Sequence, residues 1–205
     1  MSCYSYSKPG TCKRPNPEPG TSLQKLVRMY QKSCGQNLQH QLEGFRKLPS
    51  IKEVINRAAR AVDDQNKRYS HQRRLYSASL IEAERRMIFK LDSIESCLSF
   101  DALYSLLSDL FTPVYGLGPL YIYDTALRLG AKRHLHPTVV YLHAGTRTGA
   151  RALGLDVSSS FIKVANFPKP IQILAPQEIE DFLCIFKEHL AGCQATHVSS
   201  KLIQP

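Results

Sequence analysis

The residues best suited to chemistry surround a short glycine turn, Tyr115-Gly116-Leu117-Gly118-Pro119. A helix beginning at Pro119 starts with N–H groups that lack carbonyl partners, and its dipole favours an anion at that end. Gly116 and Gly118 permit a positive φ or a close backbone approach, as a phosphate seated on the turn requires. Along this helix, Tyr121, Thr125, Arg128 and Lys132 fall at i, i+4, i+7 and i+11 and form an expected outward stripe. Arg147 and Arg151 lie four residues apart after Gly145, a spacing that lets both reach one anion. Equally, Gly145 can serve only as a cap, with Gly149 letting two helices touch. The third basic group is Lys67, Arg68, Arg73 and Arg74, interleaved with Tyr69 and Tyr76. Together these residues predict contact with the phosphates of a nucleic acid, DNA or RNA.

Other chemistries find less support. His134, His136 and His143 have no carboxylate or cysteine spaced to complete a ligand set, so solvated or hydrogen-bonded histidines are expected and no metal. His71 lies among arginines, which would disfavour its protonation. Neither a phosphate-binding P-loop nor a G-x-S-x-G nucleophile elbow occurs, and no cofactor is implied. An enzyme remains an alternative, with Tyr121, His143 and Arg147 in a pocket lined by the glycine turns.

Charge points the same way as the basic motifs. The chain carries a net charge of +10, of which the first 90 residues hold +11 and the remainder −1. A basic half suits a polyanion, with nucleic acid first and an acidic protein bound by a helical adaptor second. A solvated basic surface is the bland alternative. No apolar run is long enough for a membrane span, and the N-terminus lacks the apolar centre of a signal peptide. Six cysteines show no C-x-x-C spacing, and Cys97 and Cys184 sit in apolar helical settings. Reduced thiols in a cytoplasmic protein are expected.

The elements that must position these residues are mostly helices. The reading is mainly α: a Pro- and Gly-rich tail over 1–21, one helical domain over 22–192 with its core at 99–155, and a frayed end over 193–205. Ser22 starts a helix that Gly35 ends. Ser50 and Glu53 form a capping box before a helix through Val62. Asp63 to Tyr76 reads as an irregular connection. Ser79 and Glu82 cap one amphipathic helix of about five turns that runs to Leu98, with Glu82 pairing to Arg86. Ser99 caps the next, which carries Leu103, Leu106, Leu107 and Leu110. After the glycine turn, Leu120, Tyr123, Ala126, Leu127 and Gly130 face inward. Pro137 opens another helix through Leu142, and Thr146 or Thr148 a shorter one. A small β element near 160–175 is expected from 161–164 and 171–174. Pro176 begins a last helix, ended by Gly192.

The unit from Phe100 to Gly130 resembles the helix-hairpin-helix superfamily, whose core is hydrophobic-Gly-hydrophobic-Gly followed by a helix. Tyr115-Gly116-Leu117-Gly118 fits that core, although Ile122 stands where such motifs usually carry alanine. The resemblance implies non-specific phosphate contact through Gly116, Gly118 and the amides after Pro119. Glycosylases of the wider family place an aspartate about 20 residues beyond the hairpin. Here 137–143 contains no acid.

Overall fold

The structure is a computed structural model describing residues 15–193; residues 1–14 of the tail expected over 1–21, and all but Cys193 of the end expected to fray over 193–205, lie outside the described residues. Helix α1 (Leu23–Lys32) begins where Ser22 Oγ accepts from Lys25 N–H at 3.4 Å, and buries Leu23, Leu26, Val27 and Tyr30 on one face. Gly35 does not end the segment. The chain turns at Ser33 and continues as α2 (Cys34–Arg46), a helix the sequence reading missed. Helix α3 (Ile51–Ala59) starts on Ser50, whose Oγ accepts from Glu53 N–H at 3.3 Å, and stops short of Val62 because Ala61 adopts a positive φ of 54°.

The basic connection that follows is irregular, as expected, with a β-bridge between Val62 and Arg68 and a 3₁₀ turn at Ser70–Gln72. The predicted five-turn helix is two helices, α4 (Ser77–Phe89) and α5 (Leu91–Ser96), broken at Lys90. Tyr76, not Ser79, occupies the N-cap, and Leu98 is 91% exposed rather than inward. The Glu82–Arg86 pair forms at 2.7 Å, and hydrogen bonds from Arg85 and then Arg86 hold the Glu82 carboxyl down at about 2. Helix α6 (Phe100–Phe111) is capped by Ser99 as expected, Oγ accepting from Ala102 N–H at 3.1 Å.

Helix α7 (Pro119–Arg133) is the centre of the larger core. It packs on α6, α2 and α3, and every residue from Tyr121 to Ala131 is buried. No outward stripe exists, because neighbours cover the helix all round. Val139–Tyr141 is a strand, β1, not a helix after Pro137. It pairs antiparallel with β2 (Phe161–Lys163), Val140 opposite Ile162, so the small β element is a two-stranded sheet. Residues 171–174 form turns. Between the strands lies α8 (Ala144–Ala152), and α9 (Pro176–Phe186) follows, ending six residues before Gly192.

A second apolar cluster joins α1, α8, α9 and the sheet. Its tightest approach is Gly149, where a Cβ would lie 2.3 Å from the Leu183 carbonyl oxygen. Gly149 therefore lets two helices touch, the alternative weighed for it in the sequence. Cys97 and Cys193 are free, whereas Cys34 and Cys184 are disulfide-bonded, which corrects the expectation of reduced thiols throughout. No helix among the described residues is long and apolar enough to cross a membrane.

Candidate functional site

Both glycine segments singled out in the sequence open onto one cleft. It has a volume of 740 Å³ and is lined by the start of α7 (Gly118, Pro119, Leu120, Tyr121), the start of α8 (Leu142, His143, Ala144, Gly145) and, from the basic segment, Ser70, His71, Gln72, Arg74 and Leu75. That volume lies in the range of ligand pockets. The first intrahelical bond of α7 runs from Ile122 N–H to Gly118 O at 3.2 Å, and the Leu120 and Tyr121 amides precede it. In α8 the first runs from Arg147 N–H to His143 O at 2.7 Å, preceded by the amides of Ala144, Gly145 and Thr146. Two helix N-termini therefore meet at the cleft, each with the partial positive charge of unspent N–H groups.

The turn into α7 divides the work between its glycines. Gly116 has φ +80°, a conformation that L side chains rarely adopt. Gly118 has φ −93° with open space around its Cα, so the positive φ considered for it is not found. Gly118 instead leaves the helix start uncovered.

His143 forms part of the cleft wall. It is 7% exposed, and neither ring nitrogen has a hydrogen-bond partner among the described residues. Burial pushes its pKa down to about 4, with Asp124 opposing and Arg147 assisting, so the imidazole is neutral at pH 7. The Tyr123 ring lies 4.8 Å from it, centroid to centroid. The Tyr123 hydroxyl is likewise buried without a partner, and burial raises its pKa well above the usual phenol value. Behind His143, Thr146 Oγ1 donates to Glu180 Oε1 at 2.6 Å. Burial holds the Glu180 carboxyl far above the ordinary carboxylate range.

A buried polar row on α7 ties down the opposite wall. His71 Nε2 lies 2.8 Å from Asp124 Oδ2, and Gln72 Nε2 donates to the same oxygen at 2.9 Å. The setting of His71 is thus a carboxylate, not the arginines expected from sequence. Arg128, 2% exposed, donates to Gln72 Oε1 at 3.1 Å and to Ala58 O at 3.4 Å. Its guanidinium sits 4.4 Å from the Tyr69 ring centroid and 3.7 Å from the Asp124 carboxylate one turn before it on α7. These groups fix the 3₁₀ turn against α7.

Several residues named from sequence are committed elsewhere. Arg128 cannot reach a phosphate from the core. Lys132 donates to the carbonyls of Arg46 and Leu48, closing the end of α2. The Tyr121 hydroxyl donates to Ala59 O at 2.8 Å, so Tyr121 lines the cleft with its hydroxyl engaged elsewhere. Arg147 binds the carbonyls of Val157, Ser159 and Leu142, and exposed Arg151 lies near the far end of α8, so the two do not share an anion at its start. Arg68 is partly spent on Leu75 O at 3.1 Å. Lys67, Arg73 and Arg74 remain exposed, and Arg74 lines the cleft. Sequence reasoning missed the His71–Asp124 contact, which spans 53 positions without a motif. No group of side chains suited to a metal ion occurs among the described residues. No protein-family model, curated protein or solved structure matches the chain.

Proposed function

We propose that this chain binds nucleic acid through its backbone phosphates, with a phosphate seated in the cleft where α7 and α8 begin. The observation that carries the reading is the convergence of two helix N-termini on one cleft whose wall includes Arg74. Arg73 and Lys67, both exposed, extend the positive charge along the chain beside it. Backbone amides and basic side chains of this kind position a phosphate without reading bases. The contact surface differs from the sequence expectation: the basic segment 67–74 and the helix starts carry it, and the interior of α7 does not.

One observation favours a second reading, an enzyme with its pocket at the glycine turns. Of the three groups named for it, Tyr121 and Arg147 are occupied by carbonyls, but His143 is neutral, buried and unpartnered in the cleft wall. Such a neutral ring offers a bound ligand one N–H donor and one acceptor nitrogen.

Fluorescence anisotropy with labelled duplex and single-stranded oligonucleotides across a salt series tests the first reading. Arg74→Ala should weaken binding on unrelated sequences alike and lower the magnitude of the log–log salt slope by about 0.7 to 0.9. An unchanged slope and affinity would remove Arg74 from the contact and the cleft from the reading. Phosphoester turnover by the parent chain that His143→Gln abolishes would move the conclusion to the enzyme.

A further inference from the structure

Beside the cleft stand two aromatic rings that the core does not use. Tyr76 is 60% exposed and Tyr115 is 77% exposed, with centroids 5.5 Å apart and planes inclined at 40°. Neither is on a loose segment. Tyr76 is the N-cap residue of α4, and Tyr115 precedes Gly116 in the turn leading to α7. Ser79 Oγ donates to the Tyr115 carbonyl at 2.7 Å, which ties that turn to the first turn of α4. A Cβ on Gly116 would lie 3.7 Å from Tyr76 Cδ2, so the Tyr76 ring lies close against the glycine. Leu75 and Arg74, the two residues before Tyr76, line the cleft, and exposed Arg73 adjoins them. The rings therefore sit one step from the proposed phosphate seat, on its basic side.

We infer that Tyr76 and Tyr115 form a stacking platform for an unpaired base of a single-stranded nucleic acid whose backbone phosphate occupies the cleft. The inference rests on the phosphate reading and narrows its partner to a strand with accessible bases. Charge and ring together specify that occupant. A duplex keeps its bases stacked inside and offers no free π-face, whereas a single strand presents phosphate and base in alternation. Exposed aromatic rings beside basic side chains are how sequence-tolerant single-strand binding is built. An acidic peptide would satisfy the arginines and leave the rings uncovered.

The test compares three labelled probes of about 12 nucleotides on the full chain: oligothymidylate, the same sugar–phosphate strand without bases, and a duplex. Oligothymidylate should bind about 5- to 150-fold tighter than the abasic strand. Tyr115→Ala and Tyr76→Leu should erase that preference, while Tyr76→Phe keeps it, and abasic and duplex affinities should stay within about twofold of the parent. Thermal melts verify that each variant folds, and Tyr115→Ala lies outside any helix should Tyr76→Leu unsettle α4. An absent base preference in the parent, or equal losses on all three probes, would overturn the platform while abasic binding keeps the phosphate reading. Failure of every probe to bind would overturn both.

Discussion

Acidification should destabilise this protein through His143 in particular. In the folded chain burial lowers its pKa from the ordinary 6.5 to about 4, while in the unfolded chain it returns to 6.5. Between those values the unfolded state binds a proton that the folded state refuses, so stability rises with pH there. The contribution is fully present above pH 6.5 and is lost as pH falls towards 4. The gap corresponds to at most about 3 kcal/mol, with about 2 kcal/mol gone by pH 5. His143 is 7% exposed, so solvent screening takes little from this figure. Urea unfolding of the parent and of His143→Phe at a series of pH values isolates the effect, because the two chains differ at this position alone. The parent should lose the additional stability between pH 6.5 and 4, and the variant should not. Parallel profiles would mean that His143 ionises freely in the folded state, and the sealed, neutral imidazole would have to be abandoned.

Two contrasts test the backbone geometry. Gly149→Ala drives a Cβ into the Leu183 carbonyl and should cost about 3 kcal/mol, lowering Tm by about 6–12 °C, whereas Gly44→Ala, with open space in α2, should be neutral or stabilising; equal melting of the two would refute the close α8–α9 contact. At the turn, Gly116→Ala should lose about 1–2 kcal/mol to its positive φ. Gly118→Ala should stay within about 0.5 kcal/mol of the parent by denaturant unfolding, and a reversed order would exchange their roles.

Caps and periodicity make several elements legible in the amino-acid sequence alone. Ser22, Ser50 and Ser99 each accept from the amide three residues on, and Pro119 and Pro176 each open a helix. These signals are local, so they survive into the fold. Residues 139–141 failed for the opposite reason. Three residues hold no period, and Pro137 resembles a helix start, yet β2, twenty residues on, claims them as a strand. The break at Lys90 is hidden because α4 and α5 continue a similar apolar spacing across it. Both glycine segments were visible as possible anion sites, but their meeting at one cleft depends on how α8 returns towards α7. Nothing local encodes that.

Arg128 shows how a correct residue can be assigned a wrong task. From sequence it stood on an outward stripe, because a charged side chain on a helix is usually solvated. Burying a guanidinium is costly unless its donors are satisfied, and here Gln72, Ala58 and the nearby Asp124 carboxylate supply that compensation. The consequence reaches beyond the core. Gln72 and His71 belong to the same segment as Arg73 and Arg74, and their side chains meet Asp124 on α7. An otherwise irregular basic loop is thereby pinned at its midpoint to the helix whose N-terminus lines the cleft. The charges inside α7 are engaged within the fold, and they set the position of the two arginines proposed to meet phosphate. Loosening that anchor should therefore weaken phosphate binding even with every surface charge in place.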